Sequence, residues 1–258
     1  MRQLSRLIII LLVILALVLL PSCGDSPDSS NNSPKAAIID QLYLLGPNQA
    51  FIDEAKGELE DYGFEVDVYQ GDKVTVELYK NLPSYGYKLI IFRAHAGLMR
   101  KEGSSITPPI TFLFTGEKYS QHRYSIEQLT EEIVPAEMPG DYPLVFAVNS
   151  RFITRRVEGE FDNTVIIMTG CSCLKYSDLA DGFMGKGASA YIGYDATVGL
   201  DYSDESSAYL VEQLCSGNLT IEQAVERTIA DKGRDPQWEA TLKYWPLETA
   251  NETLRKLI

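Results

Sequence analysis

Histidine and cysteine are scarce in this chain, and basic residues are outnumbered by acidic ones. Its 258 residues include 2 histidines and 4 cysteines, and no CxxC pair, HExxH motif or histidine-rich tract occurs. Because those patterns mark protein metal sites, we expect no metal, and we expect no other cofactor. Lys and Arg number 23 against 36 Asp and Glu, a formal net charge of −13. This acidity argues against nucleic acid and anionic lipid surfaces as partners.

Residues 1–22 have the pattern of a signal peptide. Two arginines precede an apolar run from Leu7 to Leu20, which is shorter than the roughly 20 residues of a membrane-crossing helix. The segment Leu20-Pro21-Ser22-Cys23 resembles a bacterial lipobox, in which the chain is cut before the cysteine and the cysteine carries lipid. We therefore expect an exported protein of the cell envelope that is anchored to the membrane by lipid at Cys23. An uncleaved anchor and plain secretion are the alternatives.

The rest of the chain divides into a short linker and one domain. Residues 23–34 are polar and rich in Ser, Asn and Pro, which predicts a flexible tether with almost nothing to bury. Residues 35–258 are numerous enough for a single α/β domain with a substantial core.

Short apolar segments alternate with segments of helical spacing along this domain. Strands are predicted over residues 36–45, 64–69, 88–92, 164–168, 188–194 and 240–245. Helices are predicted over 49–62, 74–82 and 178–185, from a cap at residues 203–205 to Cys215, and from a capping box of Thr220 and Gln223. Continuous apolar strands separated by helices predict a mostly parallel sheet with helices on both faces.

The pattern is less regular between residues 106 and 163, which we interpret as an insertion between core strands. The segment ITFLFTGEKY is predicted to be one arm of a hairpin, and PLVFAV is a further strand candidate. A helix is predicted over 125–134, with Ser125 and Gln128 as its capping box.

His95 and Cys171 each follow a predicted central strand, where parallel α/β sheets bind ligands. A cysteine attacks a carbonyl carbon as the thiolate, so it needs a nearby base such as imidazole and N–H groups that hold the oxyanion. These two residues are the candidate catalytic pair. The candidate oxyanion donors are the N–H groups of Cys171 and of Ala96 or Gly97.

Two strand ends and the segment after them resemble a known peptidase family. The chain has LIIFRAHAG, then VIIMTGCS, then GKGASAYIGYDATVGLDYSDESSAYLVEQL. This order is similar to the caspase-like (clan CD) cysteine peptidase fold, closest in pattern to CHAT and gingipain-like members. The resemblance implies a caspase-like sheet and a cysteine endopeptidase that cleaves a peptide or protein substrate through a thioacyl-enzyme. His95 is then the base and Cys171 the nucleophile.

Acidic residues give some members of this clan their preference for Arg or Lys. On that resemblance Asp195, and also Asp201, are candidates for substrate binding; the alternative is that they are solvated or cap the next helix. Cys215 lies among apolar residues and is predicted to pack in the core. Cys173 is either a core residue or a transient partner of Cys171. The second histidine, His122, lies in a polar stretch and is the weaker candidate base.

Two alternative functions stay open. Ala96 separates His95 from its glycine, and Ser172-Cys173 follow Cys171; both features also suit a catalytically inactive caspase-fold lipoprotein that binds a protein or peptide partner. A substrate-binding lipoprotein of a transporter is the third possibility, but it usually has two similar α/β lobes, and the sequence shows no second lobe.

Overall fold

The structure is a computed structural model, and it describes residues 33–99 and 109–258. The predictions for the signal peptide and for Cys23 lie outside these residues, as does most of the predicted tether. The first strand begins at Lys35. Within the described ranges, every helix is too short or too polar to span a lipid bilayer.

The described residues form two sheets. The strands are β1 Lys35–Asp40, β2 Glu65–Gln70, β3 Tyr87–Arg93, β4 Ala96–Met99, β5 Ile110–Lys118, β6 Ile133–Ala136, β7 Val145–Asn149, β8 Thr164–Met168, β9 Ala188–Tyr194 and β10 Leu242–Trp245. The helices are α1 Gln49–Tyr62, α2 Val76–Asn81, α3 Ser125–Leu129, α4 Ser150–Arg156, α5 Asp178–Met184, α6 Leu200–Cys215, α7 Ile221–Lys232 and α8 Leu254–Leu257. Short 3-10 helices cover Gln41–Leu44, Gly71–Lys73, Leu82–Tyr85 and Leu247–Thr249.

The larger sheet has six strands in the order β10-β9-β8-β3-β1-β2. All neighbours pair in parallel except β10, which is antiparallel to β9. The prediction of an α/β fold with a mostly parallel sheet is therefore confirmed. The chain places β2 on one side of β1 and β3 on the other, so the order of strands reverses at the carboxyl ends of β1 and β3. Ligands of open α/β sheets bind at such a point.

Helices cover both faces of this sheet because its central strands are apolar on both sides. In β3, Ile90 and Phe92 point into one core, which also holds residues of α2, α4 and α5. Leu89 and Ile91 point into the other core, which also holds residues of α1, α6 and α7. Period-two alternation explains this division, since successive side chains of a strand face opposite sides. The sheet is thus a rigid support for the loops at its carboxyl edge.

The second sheet is antiparallel, has the order β4-β5-β7-β6, and lies in sequence between β3 and β8. The predicted helix over 125–134 is wrong in extent and in its cap. α3 ends at Leu129, Glu131 adopts a left-handed φ of 55°, and Ile133 then pairs with Val148 in β7. Gln128 donates to the carbonyl oxygens of Ser120 and Arg123 instead of completing a capping box.

Of the two helix starts that the sequence predicts after β9, one is confirmed and the other is wrong. The capping box of Thr220 and Gln223 at the start of α7 is confirmed, with both reciprocal hydrogen bonds present. The prediction of a cap at residues 203–205 is wrong, because α6 begins at Leu200 and Gly199 precedes it without a capping side chain. Asp204 lies inside the helix, where it binds a buried arginine instead.

Candidate active site

The register of two neighbouring strands brings His95 and Cys171 to the same edge of the large sheet. β3 and β8 pair in parallel, with Phe92 opposite Met168. His95 is three residues beyond Phe92, and Cys171 is three residues beyond Met168. Neighbouring strands are about 4.8 Å apart, so the two residues leave the sheet side by side.

Both side chains line one cavity of about 380 Å³, here called the Cys171 cavity. Its floor comes from the ends of β3 and β8, including Ala94, Thr169 and Gly170. Its walls come from the 3-10 helix after β1, the β6–β7 connection and the first turn of α6. Cavities that bind small ligands or substrate side chains have volumes of about 300–1,000 Å³, and this one is at the lower end of that range.

Gly170 allows the two strand ends to approach closely. A Cβ atom at this position would lie 2.4 Å from the carbonyl oxygen of Ala94 and 3.2 Å from the Cβ of Ala96. The nearest of these contacts is with backbone, which cannot move aside as the end of a flexible side chain can. Glycine before Cys171 is therefore a steric requirement of the site, and it brings the segments of His95 and Cys171 into contact.

Two backbone N–H groups beside the Cys171 cavity are candidates for holding an oxyanion. The N–H of Cys171 has no acceptor among the described residues. The N–H of Phe114 donates to the carbonyl oxygen of His95 at 3.0 Å, so His95 and Phe114 form a hydrogen-bonded pair where β4 begins to pair with β5. In an antiparallel ladder, hydrogen-bonded pairs alternate with pairs that share no hydrogen bond. The next bonded pair is then Gly97 with Phe112, and the N–H of Ala96 faces the open side of β4. Of the two predicted partners for Cys171, this register favours Ala96 over Gly97.

The His95 ring is half-buried and holds an unpaired nitrogen. Its backbone N–H donates to Oε1 of the buried Gln41 at 2.9 Å, and its ring packs against Phe114 with 5.9 Å between centroids. Nε2 is buried and has no hydrogen-bond partner among the described residues. Burial, and then the positive charge of Arg93, lower the pKa of His95 below its ordinary value. The imidazole is therefore neutral at pH 7 and able to accept a proton.

A buried ion-pair network lies directly beneath this histidine. Arg93 is fully buried and donates to Asp40 Oδ1 at 2.7 Å, to both carboxylate oxygens of Asp204 at 2.7 and 2.8 Å, and to the carbonyl oxygen of Gly46 at 2.8 Å. Burial alone would lower the pKa of Arg93, but its bonds to Asp204 and Asp40 raise it. The network joins the ends of β1 and β3 to α6, and these elements surround the cavity.

The three cysteines of the described residues differ in burial. Burial raises the pKa of the Cys215 thiol to about 12 and raises that of Cys173 well above its ordinary value. Cys173 is completely buried and packs in the core, whereas Cys171 is half-buried and faces the cavity. Cys171 is therefore the one of the three described thiols that a ligand in the cavity would contact.

The geometry leaves one candidate pair of reactive side chains at the carboxyl edge of the sheet. The chain matches no protein-family model and no curated protein sequence.

The other predicted site residues lie away from the Cys171 cavity. Asp195 accepts from the Thr241 N–H at 3.0 Å and pairs with Lys243 Nζ at 3.1 Å, so both oxygens bind the antiparallel edge strand or the residue before it. Asp201 is exposed in the first turn of α6, and His122 is exposed between β5 and α3. The substrate-binding role of Asp195 stays a prediction. Within residues 33–99 and 109–258, no group of His, Cys, Asp and Glu side chains is arranged to hold a metal ion.

Two residues that position the site were missed at the level of sequence. Gln41 fixes the backbone of His95, and Arg93 fixes the loops on either side. A charged residue at the end of the apolar run KLIIFR was the available signal for Arg93, since an arginine there is buried only if it is paired. Its partner Asp204 is 111 residues away, and no local pattern indicates such a pair.

Proposed function

We propose that the protein is a cysteine peptidase of the caspase-like fold, in which His95 and Cys171 cleave peptide bonds through a thioacyl-enzyme. The observation that carries the proposal is the shared position of the two residues, each three places beyond the paired Phe92 and Met168 and both lining one cavity. A neutral base and a cavity-facing thiol are the two parts that nucleophilic cysteine catalysis requires.

The chemistry follows from the groups present. His95 accepts the thiol proton of Cys171 while the sulfur bonds to the carbonyl carbon, and the N–H groups of Cys171 and Ala96 hold the oxyanion. The C–N bond then breaks, and the protonated imidazole gives its proton to the departing amine, which leaves a thioester. Water, deprotonated by His95, attacks that thioester and releases the carboxylic acid and the free thiol.

The architecture supports the caspase-like assignment in outline. A mostly parallel sheet with helices on both faces carries the histidine after β3 and the cysteine after the adjacent β8, the order in which the resembling motifs occur in the sequence. We extend the assignment to residues 35–258 as one caspase-like domain. The four-stranded sheet between the two motifs is then an insertion that contributes β4 and the β6–β7 connection to the site.

A second candidate function is a catalytically inactive module that binds a peptide in the same cavity. The observation that favours it is the thiol of Cys171, whose Sγ donates to the carbonyl oxygen of Val198 at 3.6 Å and not to the imidazole. Catalytic hydrogen bonds in unliganded enzymes are often long or misaligned and tighten when substrate binds. Turnover of a peptide separates the two functions, because the inactive module would bind peptides without cleaving them.

The proposed peptidase acts at the cell envelope, tethered through lipid on Cys23. The lipobox-like segment before Cys23 and the polar residues up to Lys35 support this location. Cells that express the full chain and are fed radiolabelled palmitate are expected to incorporate label into it. Cys23→Ser should abolish that label; a labelled Cys23→Ser chain would refute lipidation at this residue.

The pH dependence of peptide hydrolysis tests the proposed base. Burial and Arg93 lower the pKa of His95, and only the neutral imidazole accepts a proton. Activity is therefore present at neutral pH and is lost as the pH falls through this lowered pKa. We expect the acid limb of kcat/KM, measured for the full-length chain on a mixed peptide library, to lie below about 6.5, the ordinary histidine value. An acid limb at or above that value would contradict the assignment of His95 as a neutral base.

A further inference from the structure

The Cys171 cavity has walls of apolar side chains. Leu42, Leu45, Pro139, Val198 and Leu200 line it. The lining residues with polar side chains are the proposed catalytic pair, Thr169 and Ser203, and the hydroxyls of Thr169 and Ser203 donate to the carbonyl oxygens of Phe92 and Leu200. Apolar walls with a few convergent polar groups are typical of sites that recognise an apolar group and act on an atom beside it.

Apart from His95, no ionisable nitrogen or carboxylate lines this cavity among the described residues. The buried charged side chains Arg93 and Asp204, on the elements around the cavity, bind each other. A charged substrate side chain placed in this cavity would lose water and gain no partner, which is costly. The cavity therefore disfavours acidic and basic residues of a substrate.

The buried network holds the walls in place before any substrate binds. Arg93 binds the carbonyl oxygen of Gly46, which follows the wall residue Leu45, and binds Asp204 in α6. A Cβ atom at Gly46 would lie 2.7 Å from Cδ2 of Leu200, so the segment that follows Leu45 packs directly against this wall residue. A wall that is already formed binds a matching side chain without an ordering cost.

From these features we propose that the Cys171 cavity is a specificity pocket for a large aliphatic side chain, borne by the residue whose carbonyl carbon Cys171 attacks. This inference rests on the proposed peptidase function and adds its substrate class. The volume of about 380 Å³ accommodates one branched aliphatic side chain with its adjoining backbone. The substrate is thus a peptide cut after a residue such as leucine.

The alkylation of Cys171 by peptide chloromethyl ketones tests this proposal. In this reaction the sulfur bonds to the methylene carbon, the C–Cl bond breaks, and chloride and the thiol proton are released. Three reagents that share the sequence acetyl-Ala-Ala and end in Leu, Arg or Asp are compared on the full-length chain, with the rate of Cys171 modification measured by peptide mass mapping. The leucine reagent is expected to react at least about tenfold faster than the other two, a difference of about 1.4 kcal/mol. Equal rates, or a faster arginine or aspartate reagent, would overturn the proposal.

A variant of one wall residue sharpens the test. Leu45 is half-buried at the cavity wall, so Leu45→Asp is expected to slow the leucine reagent and raise the relative rate of the arginine reagent. Leu247→Asp introduces the same charge at a position that is 64% exposed and should leave the ranking unchanged. If Leu45→Asp fails to fold, as judged by circular dichroism, the ranking of the three reagents on the unmodified chain still decides.

Iodoacetamide separates failure of the pocket from failure of the peptidase. This reagent is too small to use the pocket and reports the reactivity of Cys171 alone. Rapid labelling of Cys171 by iodoacetamide together with no preference for leucine would overturn the specificity pocket and leave the proposed function standing. Slow labelling of Cys171 by iodoacetamide and by all three ketones would overturn both.

Discussion

Alanine in place of Cys171 is expected to reduce peptide hydrolysis by the full-length chain to below detection. The thioacyl intermediate needs the sulfur, and neither of the other described thiols faces the cavity. His95→Ala is expected to lower kcat by about 10²–10⁴-fold, the usual contribution of a positioned general acid or base. Hydrolysis of a fluorogenic peptide library at pH 7 measures both effects.

Cys215→Ala is the matched control for these variants. Its thiol is partly buried between α6 and the neighbouring core, and burial raises its pKa to about 12. The same change from cysteine to alanine should therefore leave kcat/KM unaltered. Hydrolysis that survives Cys171→Ala, in a preparation free of other peptidases, would contradict the assigned nucleophile.

Methionine in place of Arg93 is expected to lower the free energy of unfolding by about 3–5 kcal/mol, because removal of one partner from a buried ion pair leaves an uncompensated charge. Arg93 and Asp40 are completely buried, and Asp204 is 3% exposed. Burial already raises the pKa of Asp40 against the opposing effect of Arg93. Without the guanidinium, two carboxylates remain in the core with no cation. Urea denaturation followed by circular dichroism at pH 7 measures the loss.

Lys56→Met is the control for this experiment. Lys56 pairs with Glu60 at 3.5 Å on the exposed face of α1, and exposed pairs of this kind contribute about 0.3–0.5 kcal/mol. Because both variants replace a cation with methionine, comparing them distinguishes the contribution of a buried ion pair from that of a surface ion pair. A loss below about 1 kcal/mol for Arg93→Met would show that the network does not hold the site together.

The strands that carry the candidate pair could be predicted closely from the sequence. The apolar runs at 88–92, 164–168 and 188–194 correspond to β3, β8 and β9 within two residues at each end. These runs are rich in branched apolar residues and are buried on both faces, so local pattern and tertiary environment agree. The position of His95 and Cys171 at one sheet edge followed from that agreement.

Between residues 110 and 149, the predicted strand segments ITFLFTGEKY and PLVFAV correspond to β5 and β7, but the predicted helix over 125–134 does not match the structure. Ile133 and Val134 belong to the helix that the sequence predicts from Ser125 onwards, but in the structure they pair with Val148 and Ala147 of β7. Pairing across the second sheet outweighs the local helical preference, because β-propensity depends on the neighbouring strand. For the same reason, the contribution of this insertion to the walls of the Cys171 cavity could not be predicted from the sequence.

The role of Asp204 shows why the support of the site was missed. An acidic residue near the start of a helix is favourable for the helix dipole, so the sequence favoured a cap. In the fold its carboxylate instead receives two hydrogen bonds from Arg93 and one from Asn48. Such a contact depends on the packing of α6 against the ends of β1 and β3, which single-sequence patterns do not specify.

Brief labelling with limiting iodoacetamide at pH 7, followed by mass mapping of each cysteine, tests the central claim most directly. We expect Cys171 to be alkylated before Cys173 and Cys215 in the full-length chain, and His95→Ala to slow the alkylation of Cys171 while the rates at Cys173 and Cys215 stay unchanged. This result would mean that the imidazole activates the thiol across the β3–β8 edge. Uniformly slow labelling of Cys171, Cys173 and Cys215, unchanged by His95→Ala, would contradict the catalytic pair and favour the inactive peptide-binding module.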